Sequence, residues 1–124
     1  PILLRLKSSL VELCLAAIND ELESHEIEWT EKHSCGVVIA SQGYPESYES
    51  NKLVSLPSNT ESETKLFHAG TKLSNNEVLT SGGRVFCATA LGDNLKEAQA
   101  KAYNLVDQVS DNVVRMDRED DEPF

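Results

Sequence analysis

Two short loops carry the residues whose types and spacing best suit chemistry. In "SGGR", residues 81–84, Ser81, Gly82 and Gly83 lead to Arg84, which stands at the mouth of an alternating apolar run. A guanidinium offers a planar fork of N–H donors that matches a carboxylate or phosphate, and glycine backbone can approach such a group closely. In "GYPESY", residues 43–48, Gly43 and Pro45 fix a bend that presents Tyr44 and Tyr48. Spacing alone leaves both loops open to the plainer reading, a structural turn.

No catalytic set emerges from the residues themselves. His25, His33 and His68 have no Ser or Cys partner at a recognisable spacing and form no H-x-x-x-H pair, so each reads as an exposed or satisfied histidine. No GxxxxGK phosphate loop is present. Cys14, Cys35 and Cys87 are odd in number, scattered and embedded in apolar sequence, with no CxxC or Cys/His cluster to suggest zinc. They read as three buried thiols in a reducing compartment, without the basic neighbour that would activate one of them. No metal-ligating residue is assigned.

The formal net charge is −10, from 21 acidic and 11 basic residues, so a phosphate backbone or an anionic bilayer would repel most of the surface. Neither nucleic acid nor membrane is an expected partner. There is no signal peptide and no apolar run long enough to span a bilayer, and the expected location is the cytoplasm. A chain of 124 residues suits one domain with a core that needs no covalent staples.

The elements that must position the two loops follow from hydrophobic periodicity. In "PILLRLKSSLVELCLAAINDEL", Leu3, Leu6, Leu10, Leu13 and Ala17 draw one helical stripe. Val11, Cys14 and Ile18 widen it, which predicts a well-covered helix. That helix starts at Pro1 with no cap ahead of it, so further sequence is expected before it. "IEWTEKHSCGVVIAS" predicts a strand pair or one bent strand with Val37 to Ala40 buried. "KLVSL" reads as a short edge strand and "PSNTESET" as a surface loop.

Three strands follow, in "KLFHAGTKL", "EVLTS" and "RVFCATALG". Asn75 and Asn76 favour a tight turn between the first two, because Asn tolerates left-handed backbone. Both faces of the third are largely apolar, which predicts a central strand. In "DNLKEAQAKAYNLVDQV", Asn94 and Glu97 have capping-box spacing, and Leu95, Ala98, Ala102, Leu105 and Val109 form the expected buried stripe. Helix, strands and helix make an α+β layout: a small, mostly antiparallel sheet with an N-terminal and a C-terminal helix packed on it.

Taken in order and spacing, "RLKSSLVELCLAA", "GVVIASQGYP", "LFHAGTKL" and "SGGRVFCATALGDNLKEAQAKAY" resemble the glycinamide ribonucleotide synthetases, or phosphoribosylamine–glycine ligases, of the ATP-grasp superfamily. The resemblance runs from residue 1 to about residue 110 and falls on the C-terminal domain of those enzymes. It implies that residues 1–110 form that domain, with their start inside the preceding ATP-grasp region, and that 111–124 are an acidic, frayed tail. It implies an ATP-dependent carbon–nitrogen ligase of purine biosynthesis, which joins glycine to 5-phosphoribosylamine with ATP and magnesium or manganese. The metal and nucleotide residues would lie outside this chain, which would be inactive alone and would pack on the ATP-grasp and N-terminal domains.

On that resemblance Arg84, Gly82, Gly83, Ser81, Tyr44 and Pro45 form a wall of the substrate cleft, with Arg84 as an anion contact. Ser81 stands where the family usually has Asn, and Glu46 where it has Gly. The tail "VVRMDREDDEPF" departs from the basic end usual there. The rival reading is a scaffold module in which Arg84 makes a buried ion pair. The two separate on whether both loops open onto one cleft.

Overall fold

A computed structural model describes residues 1–58, 61–109 and 112–115. Its elements are α1 (Leu10–Ile18), β1 (His33–Ser41), β2 (Thr64–His68), β3 (Thr71–Ser74), β4 (Glu77–Thr80), β5 (Arg84–Gly92), α2 (Leu95–Asp107) and β6 (Val113–Arg115), with short 3-10 turns at Leu3–Arg5 and Leu22–Ser24. The α+β layout expected from the sequence is the one observed.

β1 and β5, each nine residues long, pair antiparallel and form the middle of a sheet ordered β2-β5-β1-β6. The central place of β5 follows from its two apolar faces, because a strand flanked on both sides keeps little surface in water. The pairing slips once. Ile39 faces Phe86, but Ala40 faces Arg84, which leaves Val85 as the extra residue of a β-bulge. Val85 and Phe86 are both buried as a result, and the next residue back, Arg84, emerges exposed at the strand's end.

α2 covers one face of this sheet. Its Ala98, Ala102, Leu105 and Val106 are buried, and the last three share one core with Val37, Ile39, Phe86, Ala88 and Ala90. Two alanines on the inner stripe let the helix lie close to the strands. The Asn94 side chain accepts a hydrogen bond from the Glu97 N–H at 2.8 Å, and Glu97 in turn accepts from the Asp93 N–H at 3.1 Å. The first bond satisfies a donor of the first turn that has no partner within the helix, and the second ties down the chain just ahead of the cap. Leu95, expected on the buried stripe, is instead 59% exposed. It is the first residue of the helix, where the chain has only just left the sheet.

At the far end of the β1–β5 pair from Arg84, Glu63 accepts hydrogen bonds from Lys32 and Lys101, and Lys101 also meets Glu97 at 3.1 Å. The bond from Lys32, more than any other cause, holds the Glu63 carboxyl below the usual carboxylate range. This cluster ties the start of β1, the approach to β2 and the first turns of α2 together.

The opening stretch differs from its expectation. The helix does not begin at residue 1; it begins after Ser9, whose side chain accepts from the Glu12 N–H at 3.3 Å. Before it, Leu6 bridges to Trp29, an extended contact that a continuous helix would forbid. Nor is the stripe covered, for Ala16 is the only buried residue of α1, and Val11 and Ile18 are 69% and 79% exposed. Cys14 is therefore exposed and Cys35 and Cys87 are half-buried, rather than all three being buried.

Three other expectations change. "KLFHAGTKL" is two strands in two sheets, divided at Ala69 and Gly70, with β3 and β4 forming a separate hairpin. Asn75 and Asn76 do turn that hairpin, with φ of 50° and 64°, the left-handed pair that a two-residue turn prefers. "KLVSL" forms no continuous strand but runs beside β4: Leu53 bridges to Leu79, the Val54 N–H donates to the Val78 carbonyl at 3.0 Å, the Thr80 N–H donates to the Lys52 carbonyl at 2.8 Å, and Val54 reaches the core. Within the stretch expected to fray, β6 pairs with Ile39–Ser41; residues 110, 111 and 116–124 lie outside the described residues.

Candidate functional site

The site is built at the end of the β1–β5 pair where the bulge releases Arg84. Tyr44, Gly83 and Arg84 line one depression of about 490 Å³, together with Ala69, Phe86 and the paired residues Val38 and Cys87. Val38 and Cys87 belong to the sheet face turned away from the Phe86–Ile39 pair that α2 covers. The "GYP" and "SGGR" loops thus open onto a common concavity, with apolar walls and a cation at its rim. Such a surface suits a ligand that carries an anionic group on an otherwise less polar body.

Contacts between the loops explain their shape. A Cβ built on Gly83 would fall 2.1 Å from Tyr44 Cδ2 and 2.4 Å from its Cε2, so only glycine admits the ring there. The φ of Gly83 is not left-handed; space, rather than backbone freedom, demands the glycine. Tyr48 steadies the ring from outside, with centroids 5.9 Å apart. Gly43 does need its freedom, at φ 96°.

Ser41 joins the two loops, and the sequence did not single it out. It is 2% exposed. Its hydroxyl donates to the Gly82 carbonyl at 2.8 Å, its N–H donates to the Gly83 carbonyl at 2.7 Å, and its own carbonyl accepts from the Tyr44 N–H at 3.0 Å. Gly83, expected to offer open backbone, is instead buried under Tyr44. A serine closing an apolar strand gives no signal from which this role could be read.

The remaining expected residues stand nearby in different ways. Gly82 is half-buried, while Ser81 and Pro45 are exposed, and none of the three lines the depression. Arg84 is exposed and has no salt bridge among the described residues, so the buried ion pair of the scaffold reading is not formed there. His68 is exposed, with Nδ1 2.9 Å from Thr71 Oγ1. Among the described residues no group of three or more His, Cys, Asp or Glu side chains converges to hold a metal. No helix among them is long and apolar enough to cross a membrane.

Fold and site together describe a small α+β domain whose sheet is closed by a helix on one face and carries an arginine-rimmed depression built from two clamped loops. The chain belongs to the family described as phosphoribosylglycinamide synthetase, C domain, which matches residues 34–119. It is 52% identical over 111 residues to the phosphoribosylamine–glycine ligase of Salmonella typhimurium, covering 88% of this chain and 26% of that protein. It is 49% identical over 110 residues to that of Vibrio cholerae, with the same coverage. Its fold matches the crystal structure of phosphoribosylamine–glycine ligase from Thermotoga maritima with a TM-score of 0.66 at 27% identity, over 84% of this chain and 26% of that one. The chain thus spans about a quarter of the length of these relatives.

Proposed function

We propose that this chain acts as the C-terminal domain of a phosphoribosylamine–glycine ligase, which joins glycine to 5-phosphoribosylamine at the expense of ATP in purine biosynthesis in the cytoplasm. It closes one side of the substrate cleft and is inactive alone. ATP and its magnesium or manganese ion belong to the ATP-grasp part of the longer polypeptide. The apolar face of α1, with Leu10, Val11, Leu15 and Ile18 largely exposed, packs on that part. The observation that carries the reading is the depression shared by Tyr44, Gly83 and Arg84, in a chain 52% identical to a ligase of that name.

In this reading Arg84 places a fixed positive charge where a substrate phosphate, or the acyl phosphate formed from glycine and ATP, develops negative charge. The Tyr44 ring and the Ser41 bonds hold Gly82 and Gly83, the residues that lead into Arg84, so the charge needs little reorganisation during the reaction. Arg84→Ala in the full-length ligase should lower kcat/KM by roughly one to two decades, the weight of a charge-assisted contact of about 1.5–3 kcal/mol. Arg84→Lys should restore part of that, since a point charge lacks the planar fork. Steady-state kinetics and thermal melting on the same preparations test it. Normal kcat/KM for both substrates beside a large fall in Tm would reject the anion contact and favour the scaffold.

A further inference from the structure

The Arg84 loop is clasped on its other side by the turn that divides β2 from β3. The Gly70 N–H donates to the Arg84 carbonyl and the Gly70 carbonyl accepts from the Ser81 N–H, both at 2.8 Å, while the Ala69 N–H donates to the Val85 carbonyl at 2.9 Å. The approach is closer than any side chain allows. A Cβ on Gly70 would fall 2.7 Å from the Arg84 carbonyl oxygen, 2.8 Å from Gly82 Cα and 3.0 Å from Gly82 N. All three are backbone atoms, so no rotamer change relieves the overlap. The φ of Gly70 is not left-handed, so an alanine there would meet a steric barrier and no conformational one.

The turn itself is stiff. His68 Nδ1 and Thr71 Oγ1 lie 2.9 Å apart across it, and the Thr71 N–H donates to the Ala69 carbonyl at 3.0 Å. The His68 ring also meets the Phe86 ring edge-on, with centroids 5.0 Å apart. An added methyl at position 70 would therefore force the turn and the 82–84 backbone apart, shifting the chain that carries Arg84.

We propose that Gly70 is a positioning residue for Arg84: the Gly70–Gly82 backbone contact sets where the Arg84 guanidinium reaches at the rim of the depression. This rests on the anion-contact reading of Arg84 given above. The effect of Gly70 on ligand binding passes through Arg84, and that separates it from a merely structural glycine.

The test is a double-mutant cycle in the full-length ligase: wild type, Gly70→Ala, Arg84→Ala and the pair, with KM and kcat measured for 5-phosphoribosylamine and Tm recorded for each. A displaced contact should raise KM about tenfold or more in Gly70→Ala, since misplacement by an ångström costs up to two decades. In the Arg84→Ala background the same change should add nothing further. Should Gly70→Ala fail to yield folded enzyme, Gly82→Ala probes the contact from the opposite side, where a Cβ meets only Gly70 Cα at 3.3 Å. A smaller rise in KM, again lost without Arg84, is expected from it. A normal KM in the glycine variants, or a rise that multiplies with that of Arg84→Ala, overturns the positioning role while leaving the Arg84 reading standing. Normal kcat/KM in Arg84→Ala itself would remove the anion contact and this proposal with it.

Discussion

Residues 1–29 and the sheet–α2 unit draw on the same apolar side chains and dispose of them in opposite ways. In the sheet–α2 unit Phe86 is 1% exposed and Leu105 2%. In the opening stretch Ile2 is 71% exposed, Val11 69% and Trp29 46%. α2 is amphipathic and α1 is apolar at every position but Glu12, and both have a side-chain cap at the N-terminus. What differs is the supply of a partner surface: α2 folds back on the strand that precedes it, whereas α1 does not lie on any strand of the sheet. An apolar stripe states that a face needs covering and leaves open what covers it. The family match begins at residue 34, and most of the exposed large apolar side chains among the described residues precede it.

The sharpest way to break this contrast is in α2. Leu105→Ala should cost about 2–5 kcal/mol, the usual range for a buried leucine that leaves a cavity, measured by urea unfolding of this chain. A loss under about 0.5 kcal/mol, typical of surface positions, would mean that the core does not depend on α2. The matching change in α1, Ile18→Ala, should stay within about 0.5 kcal/mol in this chain. In the longer polypeptide it should cost clearly more, because the side chain is then covered. Equal values in the two contexts would show that α1 docks on nothing.

The smallest effect concerns the Glu63 cluster. Bonding from Lys32 lowers the Glu63 pKa, and bonding from Lys101 lowers that of Glu97. A lowered carboxyl pKa adds stability above the unfolded value of about 4.3 and loses it as pH falls through the folded value. The Lys32 and Lys101 values are raised, chiefly by their bonds to Glu63 and Glu97. Their share is complete below the unfolded lysine value of about 10.4 and fades as pH climbs through the folded one. The groups are exposed enough that screening keeps the effect small. Glu63→Gln should therefore be slightly less stable than the parent at neutral pH, and the gap should close in acid. An unchanged gap at about pH 3, below the ordinary carboxylate range, would show that the ion pairs contribute nothing.

Much of the fold was legible because local rules and tertiary demands agree there. Asn75–Asn76, the Asn94 cap and the doubly apolar β5 each predict one outcome, and each is what the chain adopts. Where the reading slipped, a contact distant in sequence decided. Leu6 pairs with Trp29, which breaks the opening helix, and Leu95 faces water because helix geometry places it before the sheet contact begins. Arg84, Gly83 and Tyr44 were readable as a group only through resemblance to a family. That the ring lies on Gly83 is a three-dimensional fact with no trace in spacing. Gly70 had left a trace: a lone glycine inside an apparent strand marks a close backbone approach or a break, and here it marks both.

The ring of Tyr44 occupies the volume that a side chain at position 83 would need. The two positions therefore share a single steric allowance. A variant library that randomises residue 83 alone should return glycine almost exclusively among folded, active members. Randomising 44 and 83 together should recover other residues at 83 only beside small residues at 44, at the loss of the aromatic wall next to Arg84. The pair can change only jointly, and the route between alternatives passes through a weakened site.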